Sequence, residues 1–183
     1  MHAAGFTLFE TPIGCCAIAW NGDGESIPGV LLPWDSVART RAHMPQRFAG
    51  VAETTAPPAV QAIMQRVVAT LEGHHDDLAD VKLDMRGVPP FHQRVYAAAR
   101  AIAPGRTVTY GEMAASLGEP GASRAVGQAL GHNPFAPIVP CHRILAAANG
   151  GGGFSAGGGV STKLKMLEIE KARFGSQAGL FDG

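Results

Sequence analysis

The paired prolines Pro89-Pro90, just after Gly87, constrain this chain more than any other feature. Neither a strand nor a helix interior runs through them, because proline lacks an amide donor and restricts the residue before it. They divide the 183 residues into two stretches of different periodicity. Before them, residues 6–9 and 15–20 read as strands joined by the turn Thr11-Pro12-Ile13-Gly14. Gly22-Asp23-Gly24 marks a second turn, and the apolar run 27–32 follows. Pro57-Pro58 opens a helix on which Val60, Ile63, Met64, Val67, Val68 and Leu71 recur at helical spacing. Residues 81–85 read as a last strand. The spacing predicts a small N-terminal α/β domain over residues 1–86.

After the prolines the pattern becomes helical. Residues 91–102 form one helix, stopped by Pro104-Gly105. Thr109-Tyr110-Gly111-Glu112 has the layout of a capping box, in which hydroxyl and carboxylate satisfy each other's exposed amides. Met113, Ala114 and Leu117 give that helix an apolar face. Gly118-Glu119-Pro120-Gly121 then turns the chain into a second helix over 122–130. Helix, short glycine-containing turn, helix is the helix-turn-helix pattern. On the second helix Val126 and Leu130 share the core side, while Arg124 projects opposite, beside Gly127, Gln128 and Gly131. An arginine rising from small residues is a finger on a thin helix, which a DNA groove could approach closely. The expected fold class is therefore α+β, with a mainly helical C-terminal domain over 87–175 and a tail at 176–183.

Composition narrows the function classes. An apolar fraction of 46% is that of a globular chain, and no apolar run reaches the length of a membrane span. There is no basic region followed by an apolar stretch at the N-terminus, so no secretory signal is expected. Cys15, Cys16 and Cys141 form no disulfide framework, which points to a reducing, cytoplasmic setting. Net charge is zero, but unevenly spread. Residues 1–85 carry five Lys/Arg against ten Asp/Glu, whereas 86–145 carry six arginines against Glu112 and Glu119 alone. An all-arginine basic block suits phosphate and base contacts. His74-His75-Asp76-Asp77 has metal-binding residue types, yet lies between a helix end and a strand, where a solvated turn is the expected reading.

Ile138-Val139-Pro140-Cys141-His142-Arg143-Ile144 holds the chemistry. A free thiol titrates near ~8.5, and an adjacent base or cation favours the nucleophilic thiolate. Cys141 has His142 and Arg143 beside it, and Pro140 fixes the backbone before it. The expectation is a thiol primed by its sequence neighbours.

Pro140-Cys141-His142-Arg143 resembles the signature of the O6-alkylguanine-DNA alkyltransferase family. The resemblance extends through Phe91-His92-Gln93-Arg94-Val95-Tyr96, Thr109-Tyr110-Gly111-Glu112-Met113-Ala114, Ser123-Arg124-Ala125-Val126-Gly127 and Gly131-His132-Asn133-Pro134, about half the chain. It implies a ribonuclease H-like N-terminal domain, and repair of DNA by irreversible, one-time transfer of an alkyl group from O6-alkylguanine to Cys141, with O4-alkylthymine as a further substrate. No cofactor, metal or obligate protein partner is implied; the partner is double-stranded DNA, met by a monomer. In that pattern His142 takes the thiol proton through a water, and Asn133 holds the turn that presents the cysteine. Tyr110 donates to the flipped guanine, and Arg124 fills the space the base leaves. Ala122, Ser123, Ala125 and Gly127 allow close approach in the minor groove, and Arg143 is placed with the DNA contacts. Base extrusion is needed because O6 is shielded inside the stack.

The relay needs a carboxylate to orient His142. Residues 163–174 read as the terminal helix, with Glu170 on the apolar side shared by Met166 and Leu167. A buried acid there must be paired, which agrees with the family's position for it; Glu168 competes. The glycine-rich stretch 149–159 carries Phe154 and Ser155, which in the family closes over the alkyl group. With Tyr110 and Ile144 these form the expected substrate pocket. Phe154 stands where relatives often have tyrosine and lacks that hydroxyl donor, and the stretch is longer than in the shortest ones, which leaves the substrate range open but not the reaction.

Three other classes fit less well. A non-enzymatic damage binder of the alkyltransferase-like type lacks an acceptor cysteine. A transcription regulator needs base-reading side chains where the second helix has mostly alanine and glycine. A cysteine hydrolase needs an oxyanion hole and water for turnover.

Overall fold

The structure is a computed structural model that describes residues 2–146 and 159–172. It is a mixed α and β fold. Strands β1 (Gly5–Thr11), β2 (Gly14–Asn21) and β3 (Ser26–Leu31) form an antiparallel meander in that order. Gly14 closes the first hairpin opposite Thr11 at φ 121, a backbone conformation open to glycine. The middle strand is buried on both faces. Cys16, Ile18 and Trp20 face the main core, while Ala17 and Ala19 face a second cluster with Met44 and Phe48. That alternation follows from the two-residue period of a strand.

Two helices cover this sheet. α1 (Val37–Arg47) has no counterpart in the sequence periodicity, because Pro45 lies inside its last turn. Ser36 caps it by accepting from the Arg39 amide, and burial of Thr40 and Met44 sustains it despite the proline. α2 (Pro58–Leu71) starts on a proline at its first position, where the missing amide costs nothing, and buries Val60, Val67 and Leu71.

Residues 81–85 do not form the expected strand. Leu83 makes a single bridge to Ile27, flanked by Ile27 N donating to Lys82 O and Asp84 N to Ile27 O. Pairing stops there because the Asp84 carboxylate accepts from the Arg86 amide and guanidinium, bending the chain towards Gly87 at φ 78.

The rest is mostly helix: α3 (Pro90–Arg100), α4 (Tyr110–Ser116), α5 (Ser123–Gly131) and α6 (Gly159–Ile169). Between α5 and α6, a single 3-10 turn spans Cys141–Arg143. β4 (Val108–Thr109) and β5 (Ile144–Leu145) pair in parallel and tie the turn's exit to the start of α4. The capping box forms: Thr109 Oγ1 accepts from the Glu112 amide, and Glu112 accepts from the Thr109 amide. Tyr96 is fully buried, and its hydroxyl donates to Ala129 O at 2.7 Å, locking α3 to α5. Core side chains run continuously from Ile18 and Val60 through Tyr96 and Val126 to Ile144, so the sheet and the helical half share one interior.

α6 begins and ends earlier than the expected 163–174. Lys171 adopts φ 51, its amide donates to Glu168 O, and the Ala172 amide donates to Leu167 O. This is a Schellman stop with a lysine where glycine is usual, and its Leu167–Ala172 apolar contact is in place. Glu170 is thereby the residue at which the helix ends.

Candidate active site

Cys141 opens the 3-10 turn with only 5% of its surface exposed. The segment before the turn is held from two sides. Asn133, just past α5, donates through Nδ2 to Val139 O at 2.9 Å, and its Oδ1 accepts from the Phe135 amide at 2.9 Å. The same side chain opposes the burial-driven rise of the Cys141 pKa. The edge of β3 reaches across: Val30 N donates to Pro134 O at 2.9 Å. Gly29 makes this approach possible, since a Cβ there would lie 2.6 Å from Phe48 Cζ and 3.3 Å from Pro134 O. The N-terminal sheet thus braces the segment that presents the cysteine.

His142, 2% exposed, points away into a buried network. Its Nε2 lies 2.8 Å from Glu170 Oε1. Arg143 Nε and Nη2 also donate to Glu170, and Nη1 donates to Ile102 O at 2.6 Å. The Gly105 amide donates to Glu170 Oε2 as well. Burial by itself would raise the Glu170 pKa, but the hydrogen bonds from His142 and Arg143 override it and hold the carboxyl at about 2. Burial lowers the His142 pKa, only partly offset by Glu170. A carboxylate accepting at Nε2 fixes the neutral imidazole with its proton there and its lone pair at Nδ1. Nδ1 is buried and has no hydrogen-bond partner among the described residues. A cavity of about 20 Å³, bounded by Thr70, Asp76, Ile138, His142, Arg143 and Glu170, lies behind the pair and is large enough for one water.

Three expectations are corrected. The thiol is not primed by its sequence neighbours: burial raises the Cys141 pKa, with Asn133 and Lys163 only partly opposing it. His142 and Arg143 spend their polar atoms on Glu170, so a neutral thiol beside a neutral imidazole is the resting pair. Arg143 does not present its side chain to DNA on the surface either, because it is 5% exposed and its Nε, Nη1 and Nη2 each donate inward, to Glu170 or the Ile102 carbonyl. Ile144 is completely buried in the core and bordered by β4, so among the described residues it lines no open pocket.

The other site residues gather around one face. Tyr110 starts α4, and its ring lies against Gly127 of α5, where a Cβ would meet Tyr110 Cε2 at 3.3 Å. Burial first, and then the charge of Cys141, raises the Tyr110 pKa, which keeps its phenol a proton donor. Arg124 is exposed on α5, with Ala122, Ser123, Ala125 and Gly127 half-buried around it and Val126 and Leu130 in the core. Phe154, Ser155 and the 176–183 tail lie outside the described residues. Asp76, from the histidine-aspartate cluster, accepts from Arg66 and from the Leu78 amide in a turn. Elsewhere in the basic block, Arg86 pairs with Asp84 and Arg94 with Glu119, while Arg106 and Arg124 remain exposed.

Lys163 does not stand out in the sequence, yet it is 1% exposed and its Nζ donates to Ile144 O at 3.0 Å. A signal for it exists: Lys163, Met166, Leu167 and Glu170 share one helical face at spacings of three and four. No helix among the described residues is long and apolar enough to cross a membrane.

Residues 90–172 match the family model described as 6-O-methylguanine DNA methyltransferase, DNA binding domain. The methylated-DNA–protein-cysteine methyltransferase of Mycobacterium tuberculosis is 37% identical over 177 residues, 97% of this chain and 98% of that protein. That of Mycobacterium leprae is 38% identical over 173 residues, 94% and 96% of the two chains. Among solved structures, Mycobacterium tuberculosis OGT in complex with DNA superposes with a TM-score of 0.72 at 36% identity, over 91% of this chain and 92% of that one. The O6-methylguanine-DNA methyltransferase of Pyrococcus kodakaraensis gives 0.70 at 25% identity, covering 90% and 98%. With relatives this similar along nearly the whole length, this chain belongs to the methylated-DNA–protein-cysteine methyltransferase family.

Proposed function

We propose that this protein repairs duplex DNA by moving the alkyl group of O6-alkylguanine onto its own Cys141. The observation that carries the reading is the buried thiol adjoining a histidine whose Nε2 is pinned by Glu170 at 2.8 Å. His142 Nδ1 takes the thiol proton through a water. The sulfur attacks the alkyl carbon, an S–C bond forms, and the C–O6 bond breaks with its electron pair going to the guanine. Tyr110 donates a hydrogen bond to the departing base, and the proton from the thiol ends on that base. The product is a thioether, so each molecule acts once. O4-alkylthymine, with the same alkyl–oxygen bond, is a second substrate.

The target base is extruded because the reacting oxygen is shielded in the stack. α4, the turn after it and α5 act as a helix-turn-helix whose α5 enters the minor groove. Arg124 fills the vacated place, and Ala122, Ser123, Ala125 and Gly127 permit the approach. Residues 87–175 form this alkyltransferase domain. Residues 1–86 form the N-terminal domain, for which the antiparallel meander supports the ribonuclease H-like reading. By the family resemblance, Phe154 and Ser155 belong to the pocket over the alkyl group. A binder without chemistry has no use for a relay at Cys141.

Intact mass after incubation with a duplex carrying one O6-methylguanine tests the reading. A gain of one methylene on the Cys141 peptide, saturating at one per protein, is expected. Cys141→Ala should abolish it and keep duplex binding, and Arg124→Ala should slow duplex repair far more than reaction with free O6-benzylguanine. A bound duplex with no mass gain from either substrate overturns the proposal.

A further inference from the structure

His74-His75-Asp76-Asp77 is the stretch where the sequence shows metal-binding residue types, but Asp76 is held by Arg66 and by the Leu78 amide. Among the described residues no three His, Cys, Asp or Glu side chains gather as a metal cluster. Two histidines from different elements do come together. His92 of α3 and His132, which caps α5, have ring centroids 5.9 Å apart, with their planes 32° from parallel. Two imidazoles sharing one ion through metal–nitrogen bonds of about 2.0–2.1 Å have centroids about 5–6 Å apart. His132 is prepared as a ligand. Its Nδ1 lies 2.7 Å from the backbone carbonyl of Gln128. A carbonyl only accepts, so Nδ1 carries the proton and Nε2 the lone pair. Such a carbonyl on one ring nitrogen is a usual partner of a histidine that binds metal through the other. His92 makes ring contacts with His132 and Tyr96 and no hydrogen bond among the described residues. Burial, and then the neighbouring His132, lowers the His92 pKa, so at neutral pH it too offers a lone pair. His132 is exposed and His92 half-buried, so an ion reaches both from solvent.

We propose that His92 and His132 form a site for one first-row divalent cation, zinc above all, which bridges α3 to the C-terminal end of α5. Imidazole suits such borderline-soft ions, and water fills the remaining coordination positions. The bridge runs beside one already present. Tyr96, one turn along α3 from His92, donates to Ala129 O, three residues before His132. Arg124, Gln128 and His132 succeed one another at four-residue spacing, and all three are exposed. The ion therefore stands at the far end of the stripe that carries Arg124. Asn133, the next residue, holds the Val139 carbonyl ahead of Cys141. A metal here clamps the element that joins the stripe to the cysteine. No step of alkyl transfer passes through it, and the site does not depend on Cys141 being the acceptor.

Zinc titrated into the full-length protein tests this. The chain holds seven histidines and three cysteines, and zinc also favours thiolates, so binding is followed at the imidazoles by ¹H–¹⁵N spectra. The His92 and His132 ring resonances should move together and saturate at one equivalent. At zinc about 100 times the dissociation constant, the melting temperature should rise by about 5–10 °C, and EDTA should reverse the rise. Magnesium, which takes oxygen ligands, should do neither. His92→Gln and His132→Gln should each weaken binding at least about 10-fold, since loss of an outer-shell partner alone costs that much. His132 is exposed, so its variant decides the matter should His92→Gln not fold. Zinc that shifts other imidazoles alone, or that binds His132→Gln as tightly as the wild type, overturns the proposal. So does magnesium that raises the melting temperature equally.

Discussion

Replacing Glu170 by glutamine removes one charge from a site where two buried cation-forming groups converge on it. The Glu170 side chain is 11% exposed and accepts from His142, from two nitrogens of Arg143 and from the Gly105 amide. Its carboxyl lies at about 2 in place of the ordinary 4.5. That depression corresponds to about 3 kcal/mol of stability at neutral pH. Breaking a buried pair and stranding Arg143 costs about 3–5 kcal/mol by general experience, so the two routes agree on about 3. For a chain of this length the melting temperature should fall by about 6–12 °C. Because the folded carboxyl is depressed, its contribution is complete above about 4.5 and disappears as the pH falls through about 2. The stability gap between wild type and Glu170→Gln should therefore close across that window. Urea melts of both proteins at pH 7 and at stepwise lower pH read the gap directly. The variant should also transfer alkyl groups on the order of 10²-fold more slowly, as Nε2 loses the anion that fixes the imidazole tautomer. A gap under about 1 kcal/mol at pH 7, or one unchanged by acid, refutes the argument that this carboxylate carries the network.

Other perturbations separate stability from reactivity. Gly127→Ala adds a Cβ 3.3 Å from Tyr110 Cε2. The better helix former should offset the crowding and leave stability within about 1 kcal/mol, while displacement of the ring slows transfer several-fold; single-turnover rates and a melt check both. Lys171→Gly relieves a left-handed backbone at φ 51 and should stabilise by about 1 kcal/mol. A thermal melt that falls instead would show that the side chain, not the backbone, sets the end of α6. Tyr96→Phe removes the shorter of two donors to the Ala129 carbonyl, which keeps the His132 amide at 3.2 Å, and should cost about 0.5–1.5 kcal/mol, measured by urea unfolding.

Local chemistry makes much of this molecule legible from its residues. The paired prolines end one pattern and start another because proline constrains any backbone it occupies. The Thr109–Glu112 box forms because both partners lie within one helical turn, and the first hairpin because Gly14 alone there tolerates φ 121. Asn133 and Glu170 are readable from spacing and family resemblance. α1 is not, since Pro45 hides a helix that Thr40 and Met44 sustain by burial against the sheet. The strand over 81–85 fails for the opposite reason: an apolar run is outweighed by the Asp84–Arg86 turn.

Electrostatics divides along the same line. Sequence adjacency puts His142 and Arg143 next to the thiol, but a 3-10 turn sends successive side chains in different directions, and both reach Glu170 twenty-seven or twenty-eight residues away. Lys163, distant in the chain, is buried with its Nζ on the Ile144 carbonyl just past the turn, because α6 packs there. By itself the sequence determined which residue types are available and where the chain can turn, through constraints that act within a few residues. Burial decided which of them are charged and whom they face, because desolvation and pairing depend on distances that exist only once the sheet, α5 and α6 close around Cys141.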